Sequence, residues 1–276
     1  VHTIKQISSL QNPVIKNIVL LSTKARERNE QQRFVAEGLR ETALALKNGY
    51  QAEALFFDEK HTATGLIENL LSLRHPTRST PELISVSTAV FEKIAYRSGV
   101  PNVIGVFIYK NLSLDSLNLP EKPLILIMEN VEKPGNLGAI LRTADAADAS
   151  AVLVCDPQTD VFNPNAIRAS LGAVFTVPVI ALSPEDAVLW LRKNQVRIFA
   201  TWLEASRPLY ECDLTQPLAF VVGAEATGIS RFWVEQADEQ VIIPMAGQVD
   251  SLNVSASAAI ILFETVRQRS LKTNKA

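Results

Sequence analysis

The sequence predicts an α/β protein in two parts: a small α/β domain, then a larger domain built on a mostly parallel sheet with helices on both faces. Three observations carry this. Strand-like and helix-like patterns alternate along the whole chain. Continuous apolar runs, which fit strands buried on both faces, concentrate in the second part. Between the parts, residues 111–123 break the periodicity with Pro120, Pro123 and several Ser, Asn and Asp residues, which read as a linker. The expected bounds are 1–110 for the first domain, 111–122 for the linker and 123–276 for the second domain.

In the first domain, Arg33–Glu37 is a short strand. Leu39–Lys47 has helical spacing and stops at Asn48-Gly49, a good C-terminal signal. Then come strand Ala54–Phe57, a helix over 65–73, strand Leu83–Val86, helix Thr88–Tyr96 capped by Thr88, and strand Val103–Tyr109. In the second domain the apolar runs Leu124–Met128, Ala151–Cys155, Arg197–Trp202, Leu218–Val222 and Val241–Met245 are the strands. Helices are expected over 136–147, 165–171 and 185–193, with a long final helix over 250–271.

The chain has 276 residues, 47% of them hydrophobic and 20% charged, an ordinary composition for a soluble globular protein. No apolar run reaches the roughly 18 residues that span a membrane. The N-terminus shows no signal-peptide pattern, so a cytoplasmic protein is expected. Cys155 and Cys212 are far apart and outside any Cys-x-x-Cys pair. They read as small buried residues rather than metal ligands or a redox pair, and no metal is expected. The net charge is −2, yet residues 1–48 carry eight cations against four carboxylates, +4 in total. Such asymmetry points to a basic arm or patch, with Arg26, Arg28, Arg33 and Arg40 among its cations; the plainer reading is a solvated helix face.

In open parallel sheets, ligands bind at the carboxyl ends of the strands. Three segments at such ends stand out. In the first, Glu129 to Ala144, a Pro134-Gly135 turn follows a strand, Asn136 begins a helix as a plausible cap, and Arg142 lies six residues on. The second, Val222 to Ser230, places Gly223 and Gly228 around the carboxylate of Glu225; glycines let the backbone approach a ligand closely. In the third, Pro244 cuts a strand after Ile243, a loop follows through Met245, and Ser251, Leu252 and Asn253 open the long helix. By residue type alone each has a plainer reading: turn glycines, a surface arginine, and ordinary cap residues. The G-x-G-x-x-G fingerprint of a dinucleotide site and the Walker lysine motif are both absent.

Together and in this order, Asn136…Arg142, Gly223-x-Glu225-x-x-Gly228 and Ile243-Pro244-Met245…Ser251-Leu252-Asn253-Val254-Ser255 resemble the three motifs of the SpoU (TrmH) family of RNA ribose 2′-O-methyltransferases, within the SPOUT superfamily. The stretch Asn163 to Ala173, with Arg168, looks like a further family segment. Residues 9–16 and 34–40 resemble the family's accessory RNA-binding domain, which is similar to ribosomal protein L30e. Two positions depart from the pattern: Ala226 and Asp148 stand where the family has glycine. Asp tolerates the left-handed conformation better than most residues, so the helix end at Asp148 is expected to survive.

The resemblance implies an α/β-knot domain with a C-terminal trefoil knot, a homodimer with a shared active site, S-adenosylmethionine as cofactor and RNA, ribosomal rather than transfer RNA, as substrate. It implies cofactor binding by Gly223, Glu225, Gly228, Ile243, Met245 and Leu252, and a catalytic set of Arg142, Asn136, Glu225, Ser251 and Asn253. With the accessory RNA-binding domain, it makes Arg26, Arg28, Arg33, Arg40 and Arg168 the candidate RNA contacts. Whether Arg142 is a base or a phosphate-orienting group is left open, since a guanidinium is almost never deprotonated. Rival readings are a SPOUT-fold enzyme acting on tRNA or on a base nitrogen, and a catalytically silent RNA-binding protein.

Overall fold

A computed structural model describes residues 3–58, 60–96, 102–205, 207–223 and 227–273. The elements in chain order are β1 (Ile4–Ile7), α1 (Pro13–Thr23), α2 (Ala25–Gln31), β2 (Arg33–Glu37), α3 (Leu39–Lys47), β3 (Ala52–Phe57), α4 (Thr64–Ser72), β4 (Glu82–Val86), α5 (Thr88–Ile94) and β5 (Ile104–Ile108). They continue with β6 (Leu124–Glu129), α6 (Pro134–Ala146), β7 (Ala151–Cys155), α7 (Pro164–Ala169), β8 (Val179–Leu182), α8 (Pro184–Lys193), β9 (Arg197–Thr201), β10 (Arg207–Pro208), β11 (Leu218–Val222), α9 (Arg231–Gln236), β12 (Glu239–Ile242) and α10 (Val254–Thr273). Among the described residues no helix is long and apolar enough to cross a membrane.

The chain forms two compact units that interleave in sequence. The first is 1–111 together with 162–176; the second is 112–161 together with 177–276. The first unit is built on a mixed five-stranded sheet, ordered β1-β4-β3-β5-β2. Strand alternation sends Val35 and Val106 to one face, where they join Ile15, Ile18, Leu21, Phe91 and Ile94 of α1 and α5. Phe34 stacks on Phe107, Phe162 and Phe175, with its ring centroid 4.3 Å from that of Phe162. Tyr50 meets Phe175 edge-on at 5.1 Å. Each such pair adds about 0.5–1.5 kcal/mol beyond simple burial. Phe162 and Phe175, which come late in the chain, thus complete the core of the first unit.

The second unit carries a seven-stranded sheet among the described residues, ordered β10-β12-β9-β11-β6-β7-β8 and parallel at every pairing. Its strands are the apolar runs of the sequence, buried through and through in β6, β7 and β11. One face packs on α8 and α9 through Trp190, Leu191 and Trp233. α6 and α10 pack on each other. Residues 112–119, expected to be part of a free linker, lie on this unit: Leu112, Leu114, Leu117 and Leu119 pack against its core. Apolar spacing every two or three residues explains why a segment with loop composition still docks.

Local chemistry corrects several expected boundaries. Helix α6 starts at Pro134 with Lys133 as its N-cap, so Asn136 is the third helical residue rather than the cap. Ser87, not Thr88, is the N-cap of α5, and the Thr88 hydroxyl donates to Asp58 at 2.6 Å. Strand β12 ends at Ile242, short of Pro244, which has no N–H to donate to a ladder. Asp148 takes φ 51°, the left-handed value expected of it after α6.

Candidate active site

The carboxyl ends of β9, β11 and β12 and the start of α10 surround one cavity of about 420 Å³. That is within the range of small-molecule sites, about 300–1,000 Å³. Of the residues expected to bind cofactor, Gly223, Gly228, Ile243, Met245 and Leu252 all line it. Glu225 and its neighbour Ala226 lie outside the described residues. Ser251 also lines the cavity. Asn253 begins α10 as a cap: its Oδ1 accepts from the Ser255 amide at 2.9 Å and the Ser255 hydroxyl at 2.6 Å.

The two glycines do different work. A Cβ at Gly223 would overlap the backbone of Gly228 and Ile229, so the loop closes on itself there. Gly228 holds φ +68°, which side chains rarely adopt, and has open space around it. The lining also contains residues the motif reading missed: Thr201 at the end of β9, and Trp202, Leu203 and Glu204 after it. The rule that ligands sit beyond strand ends applies to β9 as much as to its neighbours, and following the run 197–202 past its end would have found them. With Asp250, Glu204 gives the lining two carboxylates, and no Lys or Arg stands among the described lining residues. A cationic ligand fits that balance.

Asn136 and Arg142 are not part of this lining. At 100° per residue they point about 120° apart around α6, and at 1.5 Å per residue they are about 9 Å apart along it. Arg142 is exposed, with no hydrogen bond or ion pair to the described residues. The Asn136 Nδ2 is buried and lacks a partner among the described residues. Within one chain, therefore, the motif's two polar residues do not meet at one point.

The candidate RNA contacts also separate. Arg28 is only 2% exposed and donates to the Leu21 carbonyl at 2.6 Å, which corrects its reading as an RNA contact: it ties α2 to α1. Arg33 makes a two-pronged pair with Glu53 at 2.6 and 2.8 Å. Arg26 is exposed and pairs with Glu30 at 2.6 Å across one helical turn. Arg40 and Arg168 are exposed at the start of α3 and in the last turn of α7. Both cysteines are buried and free, and burial pushes the Cys155 thiol up to about 12.

Residues 123–263 match the model of the SpoU rRNA Methylase family, and residues 12–105 match an MRM3-like substrate binding domain. The chain is 29% identical to a 23S rRNA (uridine(2479)-2′-O)-methyltransferase of Streptomyces viridochromogenes, over 86% of this chain and 83% of that protein. It is 43% identical to the 23S rRNA (guanosine-2′-O-)-methyltransferase RlmB of Yersinia pestis, over 55% of this chain and 62% of that protein, less than two-thirds of its length. An AdoMet-bound rRNA methyltransferase from Sinorhizobium meliloti superposes with a TM-score of 0.86 at 31% identity, covering 96% of this chain and 98% of that one. With its motifs, its parallel sheet and a cavity at the strand ends all in agreement, the chain belongs to the SpoU rRNA methylase family.

Proposed function

We propose that this chain methylates a ribose 2′-hydroxyl in ribosomal RNA, with S-adenosylmethionine held in the cavity above β9, β11 and β12. One observation carries the reading: residues from the loops after β9, β11 and β12 line a single cavity whose described lining has carboxylates and no cation. S-adenosylmethionine, when bound, supplies a methyl group already activated by its positive sulfonium. Gly223, Gly228, Ile243, Met245 and Leu252 would hold it, the glycines by leaving backbone groups bare and the apolar side chains by enclosing the base. Glu225 belongs to the same expected set. Glu204 and Asp250 complement the positive charge.

The work left to the protein is alignment of a weak nucleophile. Arg142 acts as a planar fork on the RNA phosphate beside the target ribose. Ser251 and Asn253, at the start of α10, orient the ribose. A buried amide donor without an acceptor costs about 1–3 kcal/mol, so an acceptor arriving at Asn136 would recover that cost.

The reading includes a homodimer with a shared site. Arg142 and Asn136 lie away from their own chain's cavity, and α10 keeps Ala256, Ala259, Ile260 and Phe263 on one partly exposed face, with Phe263 46% exposed. Spacing of three, four and seven residues makes these one stripe, suited to a second copy. A trefoil knot through the C-terminal segment, RNA capture by the first unit through Arg26, Arg40 and Arg168, and a cytoplasmic location complete it.

The deciding assay transfers labelled methyl groups from S-adenosylmethionine to rRNA prepared from cells lacking this chain. A 2′-O-methyl group blocks alkaline cleavage, so the expected product is a labelled, alkali-stable dinucleotide. A labelled mononucleotide would make the enzyme a base methyltransferase, and unlabelled RNA would sink the proposal.

A further inference from the structure

Glu129 ends β6 and is 3% exposed, and its Oε2 accepts the backbone N–H of Ser230 at 2.6 Å. The two residues are 101 apart in sequence. β6 and β11 run in parallel register with Met128 opposite Val222, so Glu129 stands where β11 gives way to the loop that lines the cavity. Ser230 is where that loop ends and α9 begins. Gly223, the residue after β11, lies against the backbone of Gly228 and Ile229. The Glu129 carboxylate holds the next residue, Ser230. Past Glu129, the chain turns through Asn130, at φ 50°, into α6 and its Asn136 and Arg142.

A carboxylate is costly to bury unless it is hydrogen-bonded, and a charged acceptor makes a stronger bond than a neutral one. We propose that Glu129 is a positioning residue for methyl transfer: its bond to the Ser230 amide holds Gly228 and Ile229 where they line the cavity that binds S-adenosylmethionine. This rests on the cavity being the cofactor site. A purely structural bond would lower the melting temperature and leave the cofactor affinity of the folded protein unchanged. A positioning bond alters that affinity, and KM for the cofactor more than kcat.

The test uses calorimetric titration with S-adenosylmethionine, steady-state kinetics and thermal melts on the full chain and three variants. Glu129→Leu removes the acceptor. Glu129→Gln keeps an oxygen that can accept the same bond. Ser230→Pro removes the donor at a residue whose φ, −71°, is already the value proline imposes. Glu129→Leu and Ser230→Pro are expected to raise Kd about ten-fold or more, the scale of a lost bond to a charged group. Glu129→Gln is expected to stay within about three-fold of the wild type. Wild-type affinity in either Glu129→Leu or Ser230→Pro overturns the proposal, as does Glu129→Gln being as impaired as Glu129→Leu. Should Glu129→Leu not fold, Ser230→Pro decides; should neither fold, the bond is structural and the proposal fails. A wild-type chain that binds no S-adenosylmethionine would instead overturn the cofactor site itself.

Discussion

Gly223 lies against the peptide that joins Gly228 to Ile229, so closely that no side chain fits between them. The sequence alone suggests that Gly223→Val blocks the cofactor and spares the fold. The close approach says otherwise, because the first atom met is backbone. Even Gly223→Ala is expected to lower stability by about 1–3 kcal/mol, the usual cost of overpacking, and to weaken S-adenosylmethionine together with it. Melts with and without cofactor check this. An alanine variant with wild-type melting and binding would mean that the loop has slack.

Arg142→Ala is expected to leave cofactor affinity within about two-fold of wild type and to lower methylation about a hundred-fold or more, the scale of a misplaced nucleophile. Its exposure and its place outside the cavity separate the two readouts. Arg142→Lys should fail as well, since an ammonium lacks the planar fork. Activity within a few-fold of wild type would remove Arg142 from the site.

Arg26, Arg28 and Arg40 look alike as cations and should behave differently. Arg28→Ala strands the Leu21 carbonyl in the interior and is expected to cost about 2–4 kcal/mol of stability. Arg26→Glu and Arg40→Glu should leave the melt alone and reduce the salt slope of RNA binding, by about one for each phosphate no longer neutralised. RNA affinity that does not respond to either exposed arginine would make the basic region a solvated surface.

Phe263→Asp places a charge on the exposed stripe of α10. The expected outcome in light scattering is a single chain of 30.3 kDa where the wild type gives twice that, with methylation abolished. A wild type that is monomeric and active would refute both the interface and the shared site.

Asp213 carries a pH signature. The Thr215 hydroxyl, then the Thr215 amide, and Lys272 nearby hold its carboxyl down at about 2, against an ordinary 3.8. A lowered folded value adds stability that is full above the ordinary pKa and is lost as pH falls through the folded one. Asp213→Asn should therefore melt lower than wild type at pH 6, and the two should converge as pH approaches 2. A gap that stays constant with pH would show that the carboxylate's charge is not what Thr215 holds.

Strands were legible where burial was complete. Ala151–Cys155 and Leu218–Val222 are apolar at every position, and the structure places β7 and β11 on those residues. Elements without such a signal were missed. Helix α2 reads Ala-Arg-Glu-Arg-Asn-Glu-Gln, with no apolar stripe to give it a period, and β1 is an edge strand with one buried residue of four. At the site, the cavity-lining motif residues could be found because glycine, proline and small polar residues at strand ends leave a pattern in the sequence. The Glu129–Ser230 bond leaves none, because it depends on two strand ends meeting in space. The segment 111–122 misled through its composition, since its leucines cover a core. A chain shortened to begin near Pro120 would strip that cover and leave Phe162 and Phe175 without Phe34.

The late arrival of Phe162 and Phe175 also sets a timetable for synthesis. A ribosome adds about 5–20 residues per second, so the first 111 residues emerge seconds before the segment that completes their aromatic core. Through that interval the nascent unit holds Phe34, Tyr50 and Phe107 with one side of their stack open. The core under α1 and α5 is complete within the first 111 residues, but the aromatic face must wait for a piece encoded within the carboxyl-terminal half. The gene therefore cannot be divided between them without dividing a hydrophobic core.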